Sequence, residues 1–401
     1  MGSGFDRRRF LGSLGLVASS GSVAPRLLKA FGQAQKATPG VESRLNTSEP
    51  AEPKGKIRLR LQVVRTIKNP VIDLSNPDTH DIPGGFETGN TLKLTINGRT
   101  EYHMVTTTME TTGGNKWSHQ RMEHWVSPDG LHWRRHRVLY YPHADPETGL
   151  WILTSSQFPY FDQTRNRWVI YFNYQALNGI RNWTLPTLLM MAEAKTEGME
   201  GINGDFDLPG IDVARSGYAH PTDAESSSLS PPFQAADGRW MAFLGFSILK
   251  EPHWYAALVS APSPRGPFKF EAKYWPLPIM SPRGYVENPL PMKLRGPKTG
   301  RDYWAIIFDY LRPEVTEGKN SQIGFSYSHD GLNWPEENGQ IVDVDTSLAS
   351  GERGWWRIIR TPHQLIDEGD GTYTCFFTGL YRDDFFAVGM MKLKLVEEMG
   401  A

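Results

Sequence analysis

The pattern of apolar and polar positions predicts a chain of β-hairpins that share one plan. The plan is clearest at residues 285–310, where Glu287 precedes Pro289, a first strand follows, and a turn leads to a second strand of aromatic and branched residues. Such runs, bounded by Gly, Asn or Asp, are typical of antiparallel hairpins. A further apolar run follows near Ile323. The pattern therefore predicts a unit of three to four antiparallel strands.

The same plan recurs four more times along the chain. Three of these copies also begin with a proline, and the remaining copy, at residues 87–105, lacks it. The prolines of the four proline-led copies are Pro159, Pro231, Pro289 and Pro362. The copies recur about every 60–70 residues, which is longer than the ~40–50 residues of common propeller repeats. Five antiparallel units predict an all-β fold, a five-bladed β-propeller, with a long β-sandwich as the alternative.

Two other features support a closed ring of such units. Residues 57–64 alternate between apolar and polar side chains, so they predict a strand that supplies the missing outer strand of the last unit. Nearly identical strings also occupy residues 127–133 and 328–334, each with an Asp-Gly turn and a final tryptophan. These strings are interpreted as structural repeats in which the tryptophan packs against the neighbouring unit.

The N-terminal residues predict export. Residues 6–12 read Asp-Arg-Arg-Arg-Phe-Leu-Gly, and the apolar run of residues 13–24 is shorter than the ~20 residues of a transmembrane helix. Residues 1–34 resemble a twin-arginine export signal. Residues 35–56 have the composition of a disordered linker, and residues 57–401 are predicted to form the catalytic domain. This interpretation implies the twin-arginine export machinery as a partner and a periplasmic or secreted bacterial protein.

Composition and charge narrow the possible partners. The net charge of −1 carries no electrostatic footprint for nucleic acid or for an anionic membrane. The single cysteine, Cys375, lies in the middle of an apolar strand and cannot form a disulfide within the chain, so it is predicted to be a core residue. No phosphate loop, zinc cluster or nucleophile elbow is present. The many tryptophans and tyrosines suit both strand packing and a sugar cleft.

In a propeller, the residues just before each inner strand converge on one mouth of a central channel. The polar residues of these segments are Glu87, Asn90, Gln157, Glu225, Ser230, Glu287, Asn288, Arg360 and His363. Carboxylates together with an arginine, a histidine and amides make a polar pocket that suits a sugar. One carboxylate would serve as the acid and another as the base.

These segments resemble the five-bladed propeller glycosidases, above all glycoside hydrolase family 43 and its relatives that act on furanosides and fructosides. The resemblance rests on Phe158-Pro159-Tyr160, on Ser230-Pro231, on Glu287-Asn288-Pro289 and on His363. It implies that Glu287 is the general acid. It also makes His363 a weak metal candidate, with a structural calcium or other cation in the channel and no cofactor required for the chemistry.

Two departures from that family concern the other carboxylates. Where the family places an acid-tuning aspartate, this chain has Ser230, and Glu225 is the candidate that could reach the same place from a longer loop. Where the family places the aspartate base, this chain offers Glu87, with Asp81 as a second choice. The separation of the two carboxyl groups, about 5–5.5 Å for a retaining enzyme and 6.5–9.5 Å for an inverting one, is not readable from sequence.

The remaining candidates are assigned to substrate binding. They are Asn90, Gln157, Asn288, Arg360, Trp117 and Trp355. An arginine such as Arg360, between apolar residues and Thr-Pro, needs an anionic partner if it is buried. The sequence thus predicts an exported glycoside hydrolase that cleaves an oligo- or polysaccharide, with a furanoside favoured. A non-catalytic carbohydrate-binding propeller is the alternative, and a lyase or transferase on the same scaffold is a third class.

Overall fold

The computed structural model of the protein describes residues 57–113, 119–144, 146, 151–178, 182–183, 188–214, 224–248, 254–280, 285–311, 321–344 and 354–399. These residues form β-strands and short 3₁₀-helices and contain no α-helix, which confirms the all-β prediction. Within these ranges, no helix has the length and apolar character needed to span a bilayer. The predicted export signal and linker, residues 1–56, lie outside the described residues.

The strands are β1 (Ile57–Thr66), β2 (Gly85–Ile96), β3 (Arg99–Met109), β4 (Gln120–Ser127), β5 (Arg134–Tyr140), β6 (His143–Ala144), β7 (Trp151–Asp162), β8 (Arg167–Asn178), β9 (Asn182–Trp183), β10 (Leu188–Glu197), β11 (Ile211–Asp212), β12 (Ala224–Leu229), β13 (Phe233–Gln234), β14 (Trp240–Ile248), β15 (Trp254–Ala261), β16 (Lys269–Phe270), β17 (Tyr285–Arg295), β18 (Asp302–Leu311), β19 (Ser321–Ser328), β20 (Gln340–Val342), β21 (Ile358–Pro362), β22 (Ile366–Asp367), β23 (Thr372–Leu380) and β24 (Phe386–Met399). The 3₁₀-helices are Pro77–Thr79, Met199–Asn203, Ala272–Tyr274 and Glu336–Asn338.

The described strands pair as antiparallel units that follow the predicted hairpin plan. Unit 1 is β2-β3-β4-β5, unit 2 is β7-β8-β10-β11, unit 3 is β12-β14-β15-β16, unit 4 is β17-β18-β19-β20 and unit 5 is β21-β23-β24-β1. Units 1 and 5 are joined by one parallel pair, Gly85 with Phe386, and so belong to one sheet. Each unit also contacts the next one along the chain, and β2 of unit 1 contacts β21 of unit 5. The first strand of unit 1 therefore lies beside the first strands of units 2 and 5, and the first strand of unit 3 lies beside that of unit 4.

Strand β1 completes unit 5, as the alternating pattern predicts. It pairs antiparallel with β24, from Ile57 opposite Met399 to Thr66 opposite Met391. Its backbone is also held by unit 4, because the Gln340 side chain accepts from the Leu61 N–H at 3.0 Å and donates to the Leu61 carbonyl at 2.7 Å. Pairing between the two ends of the described chain leaves no free edge on β24.

Replacing Leu61 by alanine is expected to destabilise the fold markedly. Leu61 is 2% exposed and belongs to the core cluster shared by units 4 and 5. Leucine-to-alanine changes in a core cost about 2–5 kcal/mol, so the urea midpoint should fall accordingly. The exposed neighbour Gln62, changed to alanine, is the matched control and should leave the midpoint within error. Equal midpoints for the two variants would show that β1 does not contribute to the core.

A β-bulge interrupts the first strand of every unit close to the predicted site residues. In units 1, 2, 4 and 5 the residues left out of register are Glu87-Thr88, Ser156-Gln157, Asn288-Pro289 and Arg360-Thr361. In unit 3 it is Glu225. Ser156 and Asn288 adopt positive φ angles of 53° and 52°. A bulge re-aims side chains, so these interruptions turn the polar residues out of the strand pattern.

The prolines do not share one register position. Pro289 lies inside its bulge, Pro362 follows its bulge directly, and Pro159 stands one residue further on. The feature that the units have in common is therefore the bulge. Proline has no N–H group, so it is tolerated at a bulge, where the hydrogen bonding between the two strands is already interrupted.

The two repeated strings are structural, as predicted. The serine hydroxyl accepts from the glycine N–H at 2.9 Å in both, from Gly130 and from Gly331. Trp133 then packs edge-on against Phe376 of unit 5, and Trp334 packs edge-on against Phe243 of unit 3. Each tryptophan thus seals a boundary with a neighbouring unit. The predicted core position of the cysteine is also confirmed, since Cys375 is fully buried.

Candidate active site

A buried arginine, Arg360 of unit 5, contacts three carboxylates, one from unit 1 and two from unit 4. Its Nη2 contacts Glu87 Oε1 of unit 1 and lies 4.0 Å from Glu287 Oε2 of unit 4. Its Nε lies 3.6 Å from Asp309 Oδ2, also of unit 4. Arg360 itself is only 4% exposed. A guanidinium removed from water needs such anionic partners, so the sequence-based expectation for Arg360 agrees with its contacts.

The three carboxylates differ in their access to solvent. Glu287 is 9% exposed, Glu87 is 5% exposed and Asp309 is completely buried. One oxygen of Glu87 and one of Glu287 lie within 4.0 Å of the same atom, Arg360 Nη2. Two carboxylates from units 1 and 4, each with only slight exposure, are thus close neighbours at one arginine.

Buried amides and hydroxyls surround this cluster. Gln157 accepts a hydrogen bond from Thr107 Oγ1, and Asn288 Oδ1 accepts from Ser156 Oγ at 3.4 Å. Among the described residues, neither Gln157 Nε2 nor Asn288 Nδ2 has a protein acceptor. Buried donors of this kind are suited to bind the hydroxyl oxygens of a ligand. Thr107 also hydrogen-bonds Thr88, the residue after Glu87, and Asn288 directly follows Glu287, so both predicted substrate-binding residues lie next to the carboxylates.

Asn90 and His363 take part in hydrogen bonds that join unit 1 to unit 5. Asn90 exchanges two hydrogen bonds with Gln364, at 2.9 and 3.2 Å, and so joins unit 1 to unit 5. The buried His363 places Nδ1 2.7 Å from Thr91 Oγ1, and burial lowers the pKa of His363 to about 3. Within the described ranges, no three His, Cys, Asp or Glu side chains are arranged to hold a metal ion. Among the described residues, the other ring nitrogen of His363, Nε2, has no protein hydrogen-bond partner.

The other predicted residues lie elsewhere or outside the described part. Trp355 stacks face to face on Phe377 at 6.0 Å, in the core packing of unit 5. The Ser230 hydroxyl accepts from the Phe243 N–H at 2.9 Å, so it ties the turn of unit 3. Trp117 lies outside the described residues, and for Glu225 only the backbone position in the β12 bulge is described.

Asp81, the second choice for the base, belongs to a different network. It contacts Arg121 at 2.9 Å and Arg135 at 2.5 Å, and these arginines also contact Glu123. Burial alone would raise the pKa of Asp81, but hydrogen bonds from Arg135 and Arg121 outweigh it and lower the pKa to about 2. These contacts fix Asp81 in a structural ion-pair network, which leaves Glu87 as the carboxylate of unit 1 at the cluster.

Asp309 is the site residue that the sequence prediction missed. It lies on β18 directly opposite Glu287 on β17. A signal was present, because an aspartate interrupts the apolar run of residues 303–310, and a carboxylate at such a position must be paired when buried. Asp309 lies on the second strand of its unit, whereas the predicted polar residues lie in or directly beside the first strand of each unit.

Acid is expected to destabilise the protein through its buried histidines. Burial lowers the pKa of His363 to about 3 and that of His103 to about 4. At pH values between these folded-state pKa values and the ordinary pKa of ~6.5 of an unfolded histidine, only the unfolded chain binds the proton. The free energy of unfolding therefore falls as the pH falls. Each histidine contributes a slope of about 1.4 kcal/mol per pH unit in that window. Urea unfolding at pH 7, 6, 5 and 4 measures this slope.

A glutamine at position 363 separates this effect from general acid sensitivity. The variant His363→Gln should show a shallower decline of the unfolding free energy between pH 6 and pH 4. His80→Gln, which changes an exposed histidine, should keep the decline of the parent protein. Identical declines in all three proteins would contradict a neutral, buried His363.

Comparisons with known proteins establish the fold. A scan against models of protein families and a search of curated proteins find no match. Solved structures do match: one described as a complex of BT0996 with RGII has a TM-score of 0.57 at 10% identity, covering 85% of this chain and 93% of the other. Exo-inulinase from Aspergillus awamori has a TM-score of 0.53 at 12% identity, covering 82% and 67%. A β-fructofuranosidase from Schwanniomyces occidentalis has a TM-score of 0.50 at 12% identity, covering 83% and 63%.

The chain therefore shares the all-β, propeller-type fold of these proteins. The resemblance to propeller glycosidases found in the sequence is confirmed at the level of the fold. Since identity is 10–12%, the site must be argued from its own residues.

Proposed function

We propose that this chain is a glycoside hydrolase with the architecture of a five-bladed propeller. Each of the five units would be one blade, and β1 would close the ring. The observation that carries the proposal is a pair of carboxylates, Glu87 and Glu287, which keep only slight exposure and meet at one buried arginine although they lie far apart in sequence. Two neighbouring carboxyl groups are the minimal machinery for hydrolysis of a glycosidic bond.

In the proposed reaction, Glu287 donates a proton to the glycosidic oxygen as the bond from that oxygen to the anomeric carbon breaks. Glu87 either removes a proton from the water that attacks the anomeric carbon or attacks that carbon itself, after which water releases the sugar. Arg360 holds both carboxylates, while Gln157 and Asn288 bind sugar hydroxyls. The reaction uses protein groups and water alone and needs no cofactor.

The favoured substrate is a furanoside within an oligo- or polysaccharide. Support comes from the sequence resemblance and from the fold shared with a β-fructofuranosidase and an exo-inulinase. We further propose export by the twin-arginine machinery to the periplasm or beyond, on the basis of residues 1–34. Glu225 remains the candidate that tunes the acid from unit 3.

A substrate screen tests the proposal. The purified protein is assayed against chromogenic furanosides and pyranosides and against fructo-oligosaccharides, beside a glycan-binding array. Release of free sugar that carries oxygen-18 from labelled water supports hydrolysis. Binding without turnover would support the non-catalytic alternative, and a product without the label would indicate a lyase or transferase. If the protein neither binds nor turns over any of the glycans, the proposal is overturned.

A further inference from the structure

We propose that Asp309 is a positioning residue, which holds Arg360 by Nε so that Nη2 is presented to Glu87 and Glu287. This inference rests on the proposed function of the same site. Asp309 is not itself in a position to touch substrate, because its side chain is completely buried, whereas those of Glu287 and Glu87 retain 11% and 7% exposure. It must act through the groups around it.

The geometry divides the guanidinium between two tasks. Its Nε edge faces Asp309 at 3.6 Å, and its Nη2 faces Glu87 and Glu287. The ring of Phe386 lies over the guanidinium, with its centroid 5.9 Å from Cζ. A guanidinium that is paired with a carboxylate at Nε and covered on one face by an aromatic ring has few remaining orientations. Fixing Arg360 therefore fixes the two carboxylates that it contacts.

The position of Asp309 in the sheet makes it a direct neighbour of Glu287 as well. The two residues are paired across β17 and β18, immediately before the bulge at Asn288-Pro289. Glu287 is the last residue in register, so the bulge begins at the site residue itself. A shift of Asp309 would be transmitted to Glu287 through the strand pair and through Arg360.

The charges also couple the cluster. One arginine faces three carboxylates, so full ionisation would leave an excess of negative charge in a site largely closed to water. The three carboxylates and the arginine therefore act on one another electrostatically, and a change of charge at Asp309 is felt by Glu87 and Glu287.

The variant Asp309→Asn tests the inference by kinetics. We expect kcat to fall about 10- to 100-fold with KM changed less than about threefold, because misplacement of groups by about an ångström costs rates of that order. We also expect the alkaline limb of the kcat/KM profile to move to lower pH. The neutral amide removes a negative charge beside Glu287 and Glu87, and a neighbouring negative charge disfavours the ionised form of a carboxyl group. Loss of fold alone would not move this limb.

The matched control is Glu397→Gln. Glu397 is a carboxylate that is 3% exposed and lies, like the cluster, between units 4 and 5, where it accepts from the Lys298 and Thr299 N–H groups. This variant should lose stability and keep the pH profile of the parent. The inference would be overturned if Asp309→Asn kept the kcat and the pH profile of the parent. It would also be overturned if Asp309→Asn lost no more activity than Glu397→Gln.

A second readout does not depend on activity. Carbon-13 NMR of carboxyl-labelled protein follows the titration of the cluster, and Asp309→Asn should move its midpoints to lower pH by about one unit, or about 1.4 kcal/mol. If that variant does not fold, the Arg360 Nε–H of the unmodified protein is followed by nitrogen-15 NMR, assigned with Arg360→Lys. The inference is supported if the Nε–H hydrogen exchanges slowly with solvent and its resonance moves as the carboxylates titrate. Fast exchange with solvent contradicts the inference. Failure of every sugar to react would count against the proposed function and leave these titrations to decide the role of Asp309.

Discussion

Glu287→Gln is expected to lower kcat by about a thousandfold on oligosaccharides while the melting temperature changes by only a few degrees. General acids contribute about 10²- to 10⁴-fold, and an alkoxide leaving group depends on the donated proton. Glutamine has nearly the same shape as glutamate. The lost charge lies 4.0 Å from an arginine that also contacts Glu87 and Asp309, so the fold retains its main buried pairs.

The leaving group provides the sharpest control for this variant. Aryl glycosides whose phenol is a strong acid need no proton, so Glu287→Gln should lose far less activity on them than on oligosaccharides. Glu398→Gln, which changes a carboxylate with 60% side-chain exposure, should behave as the parent protein does on both substrates. Normal hydrolysis of oligosaccharides by Glu287→Gln would remove the assignment of the acid.

Glu87→Ala is expected to reduce kcat by about a thousandfold, and added azide should restore part of the rate. Removal of the side chain deletes the attacking group or the base, and it leaves room for a small anion to react at the anomeric carbon and form a glycosyl azide. Loss of a partner from a buried pair costs about 3–5 kcal/mol, so the assay is made well below the melting temperature. Rescue by azide cannot arise from unfolded protein.

Two comparisons complete the test of Glu87. The anomer first released by the parent enzyme, observed by proton NMR, separates attack by water from attack by the carboxylate. Asp81→Asn should keep kcat within a few-fold, because Asp81 is held by Arg121 and Arg135. Full activity in Glu87→Ala would remove the role from Glu87, and a large loss of activity in Asp81→Asn beside it would assign the role to Asp81.

The parts of the fold that depend on local pattern were predictable from the sequence. Hairpins follow from runs of branched and aromatic residues between turn residues, and β1 follows from strict alternation. The turns of the repeated strings follow from hydrogen bonds made within a few residues. The hairpins, the alternation of β1 and these turns are each determined by residues close together in the chain.

The parts that depend on register between strands were not predictable. A bulge exists only where two residues face one on the partner strand, so the shared feature at Glu87, Gln157, Asn288 and Arg360 cannot be read from one strand alone. Asp309 was missed for the same reason, because it reaches the site only by standing opposite Glu287. Tryptophan is a residue type that can stack on a sugar, so from sequence Trp355 is assigned to substrate binding. Its stacking on Phe377 depends on tertiary packing, which the residue type does not determine.

A crystal structure of Glu287→Gln with a bound fructo-oligosaccharide tests the central claim most directly. The expected result is a sugar ring at the Arg360 cluster, with its glycosidic oxygen within hydrogen-bond distance of the introduced amide side chain and its anomeric carbon facing Glu87. A sugar bound away from this cluster, or a side chain at position 287 that points to bulk solvent, would contradict it.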